Sequence, residues 1–163
     1  MDAFSFYPLT IPYLDQMHRW LQMPHVRAFW DDGDRTLEQV RNHYFTPRSV
    51  EQYLILYHKQ PIGYIQAQLI DAKHLLMKFC TPHEETYSVD LFIGEEEHVG
   101  KGLGLDLLQS FTAYLKERHS QIQALLFDPS ENNPRAIHLY VKLGAAMVAQ
   151  YDKKQILRLK IQE

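Results

Sequence analysis

Three glycines at alternate positions, Gly100, Gly102 and Gly104, lie in the segment Val99-Gly100-Lys101-Gly102-Leu103-Gly104. The segment follows Val89-Asp90-Leu91-Phe92-Ile93-Gly94 across a short acidic loop and precedes a run with helical spacing. The first turn of a helix has unpaired N–H groups and a partial positive charge. Phosphate oxygens bind there when no side chain blocks the approach, and glycines remove that block. Lys101 adds a mobile positive charge nearby. The Walker pattern is excluded because Gly102, not Ser or Thr, follows Lys101. The dinucleotide fingerprint is excluded because position 107 is Leu. Glycines in such turns also serve tight geometry alone, so the turn by itself leaves both readings open.

Other residues with chemical potential are Asp90, Asn133, Tyr140 and a set of grouped acids: Asp31, Asp32 and Asp34, then Glu84 and Glu85, then Glu95 to Glu97. The acids fit solvated loops or a rim that attracts a cation. Trp30 adjoins the first group and fits either a cleft wall or the core, as do Trp20, Phe29 and Tyr64. Asn133 fits a helix cap or a ligand contact, and Tyr140 fits a helix-face core aromatic or a proton donor. The nine histidines show no pair at metal-ligand spacing, so no metal is expected. Cys80, the one cysteine, is read as structural.

These residues need elements to position them. Leu14, Met17, His18 and Leu21 predict a helix over Ile11 to Gln22, ended by Pro24. An irregular aromatic stretch from Pro24 to Trp30 and an acidic loop from Asp31 to Arg35 follow. Thr36 and Gln39 form a capping box for a helix reaching Tyr44. Strands are expected at Glu51 to Tyr57, Pro61 to Ile70, His74 to Phe79 and Tyr87 to Ile93. A helix from near Gly102 to Glu117 buries Leu103, Leu107, Phe111 and Leu115. After a strand at Gln123 to Phe127 comes a helix from Pro134 to Leu143, closed by Gly144. Strands near Ala145 to Tyr151 and Gln155 to Ile161 finish the chain. The central strand–helix–strand unit reads as a parallel crossover. The class is α/β (α+β): a mixed, mostly antiparallel sheet with a parallel centre and helices on both faces.

The length of 163 residues fits a single domain spanning 1–163, able to bury a core without disulfide or metal. No run approaches a membrane span. The start, Met1-Asp2-Ala3-Phe4, lacks the features of a signal peptide, and the lone cysteine suits a reducing setting, so a cytoplasmic location is expected. A net charge of −3 argues against nucleic acid as the main partner.

The segment Asp128-Pro129-Ser130-Glu131-Asn132-Asn133-Pro134-Arg135-Ala136-Ile137-His138-Leu139-Tyr140-Val141-Lys142-Leu143-Gly144, beside the glycine turn, resembles the GNAT superfamily of acetyl-CoA-dependent N-acetyltransferases. Tyr13 to Trp30, Thr36 to Val40, Pro61 to Gln66, Asp90 to Gly94 and Gly102 to Gly104 look most like its aminoglycoside 6′-N-acetyltransferases. The resemblance implies the GNAT fold and acetyl transfer from acetyl-CoA to a primary amine by direct transfer, most simply the 6′-amine of an aminoglycoside. It implies Asp90 and Tyr140 as catalytic residues. Leu91, Phe92, Ile93, Val99 to Gly104, Asn133, Ala136 and Lys142 are the implied cofactor contacts. Trp30, Asp31, Asp32, Glu84, Glu85 and Asp90 are the implied contacts to a small cationic amine. A monomer or homodimer, without nucleic acid or membrane, completes the expectation. The chain departs from that family at Val99, Leu91, Ala145 and across Asp71 to Ser88. The last departure leaves open an acyltransferase for a siderophore hydroxylysine or another small amine or peptide terminus. A module that binds acetyl-CoA without turnover is a further alternative.

Overall fold

A computed structural model of the chain describes residues 2–161. Seven strands form one mixed sheet: β1 (Phe4–Pro8), β2 (Glu51–Tyr57), β3 (Gln60–Leu69), β4 (Glu85–Ile93), β5 (Ile122–Phe127), β6 (Ala146–Tyr151) and β7 (Lys154–Lys160), in the order β1-β2-β3-β4-β5-β7-β6. The β4–β5 pair is parallel, whereas β1–β2, β5–β7 and β6–β7 are antiparallel. The mixed, mostly antiparallel sheet expected from the sequence is therefore present. The residues group into two compact units. One contains the chain up to Gln66 together with Leu91–Gly102; the other contains Ala67–Asp90 and the chain from Leu103 onward.

The first unit carries α1 (Leu14–Leu21), α2 (Pro24–Arg27) and α3 (Leu37–Tyr44). Its core joins Met17, Trp20 and Leu21 of α1 with Val26, Val40, Tyr44, Leu54, Tyr64 and Phe92. Trp20 is fully buried, yet its indole N–H reaches Glu95 Oε1 at 2.9 Å, and Arg19 donates to the same oxygen at 2.6 Å. That arrangement satisfies the one polar atom of a large core side chain. The Thr36–Gln39 capping box is formed in both directions.

Two expectations here need correction. The helix predicted over Ile11 to Gln22 is a 3-10 turn at Ile11–Tyr13 followed by α1. Pro24 does end α1, but it also starts α2, with Met23 extended before it; proline suits a first helical position. No strand is expected before Ile11 from the sequence, yet β1 pairs with β2 from Phe4↔Tyr57 to Pro8↔Tyr53. Pro8 is tolerated because β1 is an edge strand.

The second unit carries α4 (Gly104–Arg118) between β4 and β5, and α5 (Pro134–Leu143) between β5 and β6. Leu107, Leu108, Phe111 and Leu115 are the buried face of α4. The strand expected from His74 to Phe79 is absent. Its N–H groups are taken up locally: His74 N–H by Asp71, Leu76 N–H by the His74 ring, Met77 N–H by His74, and Phe79 N–H by Leu76. A chain that folds back on itself through these turn bonds does not present the alternating donors of a ladder. Leu76 is buried against Ile70, Leu126 and Ile156, whereas Leu75 is exposed. Among the described residues, no helix is long and apolar enough to cross a membrane.

Gly94 lies tight against Trp20: a Cβ there would come within 2.2 Å of the indole Cγ. Gly94→Ala is expected to lower stability by about 1–3 kcal/mol through overpacking. Urea unfolding followed by tryptophan fluorescence will measure the change. Thr36→Ala, which removes only a cap, should cost about 1 kcal/mol.

Candidate active site

The glycine turn begins where β4 ends. Gly94 and Glu95 both donate to the Ile62 carbonyl, at 2.7 and 3.1 Å, and a single 3-10 turn at Glu96–His98 leads to Val99. Gly100 and Gly102 then adopt left-handed φ values of 71° and 75°, which a residue with a Cβ rarely takes. These values delay α4 to Gly104, two residues later than the sequence suggested. Leu103 occupies the N-cap position, and no side chain caps the helix start. A Cβ on Gly102 would meet nothing within 4 Å. Lys101 is exposed. The backbone here can accept an anion at the uncapped helix start, with open space on the approach side. Gly104 differs from the other two. A Cβ on it would lie 2.7 Å from Leu139 Cδ2, so this glycine lets α4 pack closely on α5.

Of the three β4 residues singled out as cofactor contacts, Phe92 is buried in the first unit's core. It contacts Trp30 at a ring separation of 5.0 Å and Tyr64 at 5.6 Å. Only its backbone is left for a ligand. Leu91 and Ile93 are half-buried, and the Ile93 carbonyl is bonded by His25 Nε2 at 2.9 Å. A Cβ on Gly63 would lie 2.3 Å from the Phe92 carbonyl oxygen, so glycine at 63 sets how closely β3 passes β4.

On α5, Asn133 is the N-cap: its Oδ1 accepts from Ala136 N at 3.2 Å. Ala136 and Tyr140 follow at helical steps on the same side. Lys142 is exposed and off that side. Gly144 closes the helix with a φ of 117°. Tyr140 is buried, with its ring stacked on Phe127 at 4.2 Å. No other described residue hydrogen-bonds its hydroxyl.

The β4–β5 ladder ends at Ser88↔Leu126. Two residues further along each strand direction stands an aspartate, Asp90 on β4 and Asp128 just beyond β5. Both charges act on Tyr140. Burial first, then Asp90 and Asp128, hold its phenol well above the ordinary tyrosine range. Lys154, at the start of β7, donates to Asp128 Oδ2 at 3.2 Å. Burial would lower the Lys154 ammonium, but Asp128, and behind it Asp90 and Asp152, outweigh this and raise it. The second unit thus brings Asp90 and Tyr140 together, and adds Asp128 and Lys154, which sequence reasoning missed. Asp128 had a signal, since parallel strands in register place it level with Asp90. Lys154 had none, because its position depends on how the β6–β7 hairpin docks.

The grouped acids divide in two. Asp32 accepts from the Tyr44 hydroxyl and is paired with Arg35 at 2.9 Å, and Trp30 donates to that same hydroxyl at 2.9 Å. The Tyr44 phenol is raised by burial and by its bond to Asp32. Glu84 is paired with Arg158. Asp32 and Glu84 are therefore engaged in internal pairs, whereas Asp31 is exposed and Glu85 opens β4 half-buried. Trp30, Asp31 and Asp32 belong to the first unit, and Glu84, Glu85 and Asp90 to the second. Among the described residues, no group of three or more His, Cys, Asp or Glu could hold a metal ion.

Comparison with known proteins supplies the rest. Residues 13–153 match the family model of the acetyltransferase (GNAT) domain. Two curated proteins, the aminoglycoside N(6')-acetyltransferases type 1 of Klebsiella pneumoniae and Serratia marcescens, are 27% identical over 153 residues; the match takes in 88% of this chain and 74% of each relative. Among solved structures, AAC(6')-Ib in complex with ribostamycin and coenzyme A superposes with a TM-score of 0.85 at 22% identity, over 98% of this chain and 94% of that one. The aminoglycoside N(6')acetyltransferase of Legionella pneumophila gives 0.76 at 18% identity, over 98% and 93%. At these identities the structural likeness establishes the fold.

The raised phenol has a consequence for stability. A group whose folded pKa exceeds its unfolded value contributes stability below the unfolded pKa, about 10 for tyrosine, and that stability is lost as pH rises above it. The protein is expected to lose stability steadily above about pH 10. Tyr140→Phe should lessen that alkaline loss, leaving the part that the raised Tyr44 phenol contributes, and melting temperatures from neutral pH to about pH 11.5 will test it.

Proposed function

The chain belongs to the GNAT acetyltransferase family, and we propose that within it the protein transfers the acetyl group of acetyl-CoA to a primary amine, the 6′-amine of an aminoglycoside. The observation that carries this reading is the convergence of Asp90 and Tyr140 in one electrostatic cluster, in a chain whose curated relatives are aminoglycoside N(6')-acetyltransferases.

The residues present suit each requirement of the reaction. The uncapped start of α4, with the open side of Gly102, receives the pyrophosphate of acetyl-CoA, and Lys101 lies within the same turn. The Asp90 carboxylate attracts the acceptor's ammonium and holds the amine while water carries the proton away. The neutral amine nitrogen bonds to the thioester carbon, the carbon–sulfur bond breaks, and the nitrogen releases its second proton to water. A backbone N–H near Leu91 or Phe92 stabilises charge on the carbonyl oxygen. The Tyr140 hydroxyl gives its proton to the departing sulfur and recovers one from solvent. Its raised pKa keeps that proton in place across the physiological range. The products are an acetamide and free CoA thiol.

The placement of Asn133 as helix cap favours an indirect role, fixing the start of α5 and with it the position of Tyr140. The exposed Asp31 supports a contribution to drawing in a cation from solvent. Asp32 acts through Trp30 and Tyr44, ordering the loop that carries the acids.

Release of CoA thiol from acetyl-CoA with kanamycin or tobramycin is the direct test. Asp90→Asn and Tyr140→Phe are each expected to lower kcat by about 10²-fold or more. No release with any aminoglycoside, alongside turnover of small amines or siderophore-type hydroxylysines, would transfer the assignment to those acceptors. Separately, Gly102→Ala should raise the KM for acetyl-CoA well beyond its effect on the KM for the amine.

A further inference from the structure

Lys154 is a primary ammonium held beside the groups assigned to the reaction. It stands next to the turn of the β6–β7 hairpin, whose turn residues Asp152 and Lys153 both have left-handed φ, 51° and 62°. The hairpin is fastened to the loop after β5. Glu131 donates to the Lys153 carbonyl at 2.9 Å, Gln155 donates to the Pro129 carbonyl at 3.0 Å, and Ser130 and Lys154 form an isolated bridge. These bonds fix the backbone of Lys154, and its Nζ spans to Asp128 at 3.2 Å. The Lys154 side chain is half exposed, 48% against 20% for Asp128, so the pair lies where a solvent-borne ligand can reach it.

The sheet explains why this position matters. Asp90 and Asp128 leave neighbouring parallel strands at the same level, two residues past the last pair, and both carboxylates act on Tyr140 and on Lys154. Two carboxylates so placed would welcome two ammonium groups of one acceptor, one to react and one beside it. Lys154 already supplies the second. We infer that Lys154 is a charge-selecting residue of the acceptor site: by occupying Asp128 it favours amines whose neighbouring substituent is neutral over those with a second ammonium there. This rests on the reading that Asp90 receives the reacting amine. A second ammonium must displace Lys154 from Asp128 or share that carboxylate with it. Opposite or like unit charges a few ångströms apart at a partly exposed site differ by enough to shift binding about tenfold.

Kanamycin A and kanamycin B provide the matched probes, since they differ only in carrying a hydroxyl or an amine at the 2′ position. Steady-state kinetics with each, on wild type, Lys154→Gln and Lys154→Arg, should show the KM for kanamycin B falling about tenfold relative to kanamycin A in Lys154→Gln. Lys154→Arg should keep the wild-type ratio. A merely structural Lys154 would move both KM values together, and that result overturns the inference. Calorimetric titration of the same two compounds onto the same three proteins gives the ratio without turnover. If wild type acetylates neither compound, the proposed acceptor falls, while the calorimetric ratio still decides the role of Lys154. An unchanged ratio, or binding of neither compound, overturns it.

Discussion

Parallel pairing between β4 and β5 is the constraint on which the proposed chemistry depends. Parallel strands need a long crossover, here supplied by α4, and that crossover begins at the glycine turn. The same pairing stops at Ser88 and Leu126, and beyond it each strand direction presents an aspartate at the same level. One topological fact thus produces both an uncapped helix start and a pair of adjacent carboxylates. Tyr140 then joins them because α5 starts from the loop that leaves β5, with Asn133 fixing its first turn and Phe127 supporting the aromatic ring.

Much of this was legible from residue order. Alternation and helical spacing located α3, α4, α5 and most strands, because those elements bury one face and so must repeat their apolar residues at the corresponding period. The caps at Thr36 and Gly144 could be read directly, and the Asn133 cap as one of two readings, since each rests on local chemistry within a single turn. What escaped was non-local. β1 is five residues long and ends in proline, so only its partner β2 makes it a strand. The segment from His74 to Phe79 has strand-like composition but spends its donors on itself. Position 154 could not be weighed from sequence at all, because its neighbour Asp128 lies 26 residues away.

The acids show a similar limit. Along the chain, their groups fit either solvated loops or a rim that attracts a cation. In the folded protein Asp32 belongs to a half-buried set with Tyr44, Trp30 and Arg35, and Glu84 belongs to a pair with Arg158. A carboxylate paired internally contributes little outward field, whereas an exposed one such as Asp31 contributes nearly all of its own. Formal charge therefore overstates the attraction that a cation would feel.

The β6–β7 hairpin is joined to the rest of its unit through a few backbone bonds at residues 128–131 and through β7 itself. Its turn lies far along the chain from the glycine turn. The two parts can consequently change on separate evolutionary clocks. On the proposed roles, a lineage can trade charges in the hairpin, and so drift toward a new acceptor, while the glycine turn is inherited intact.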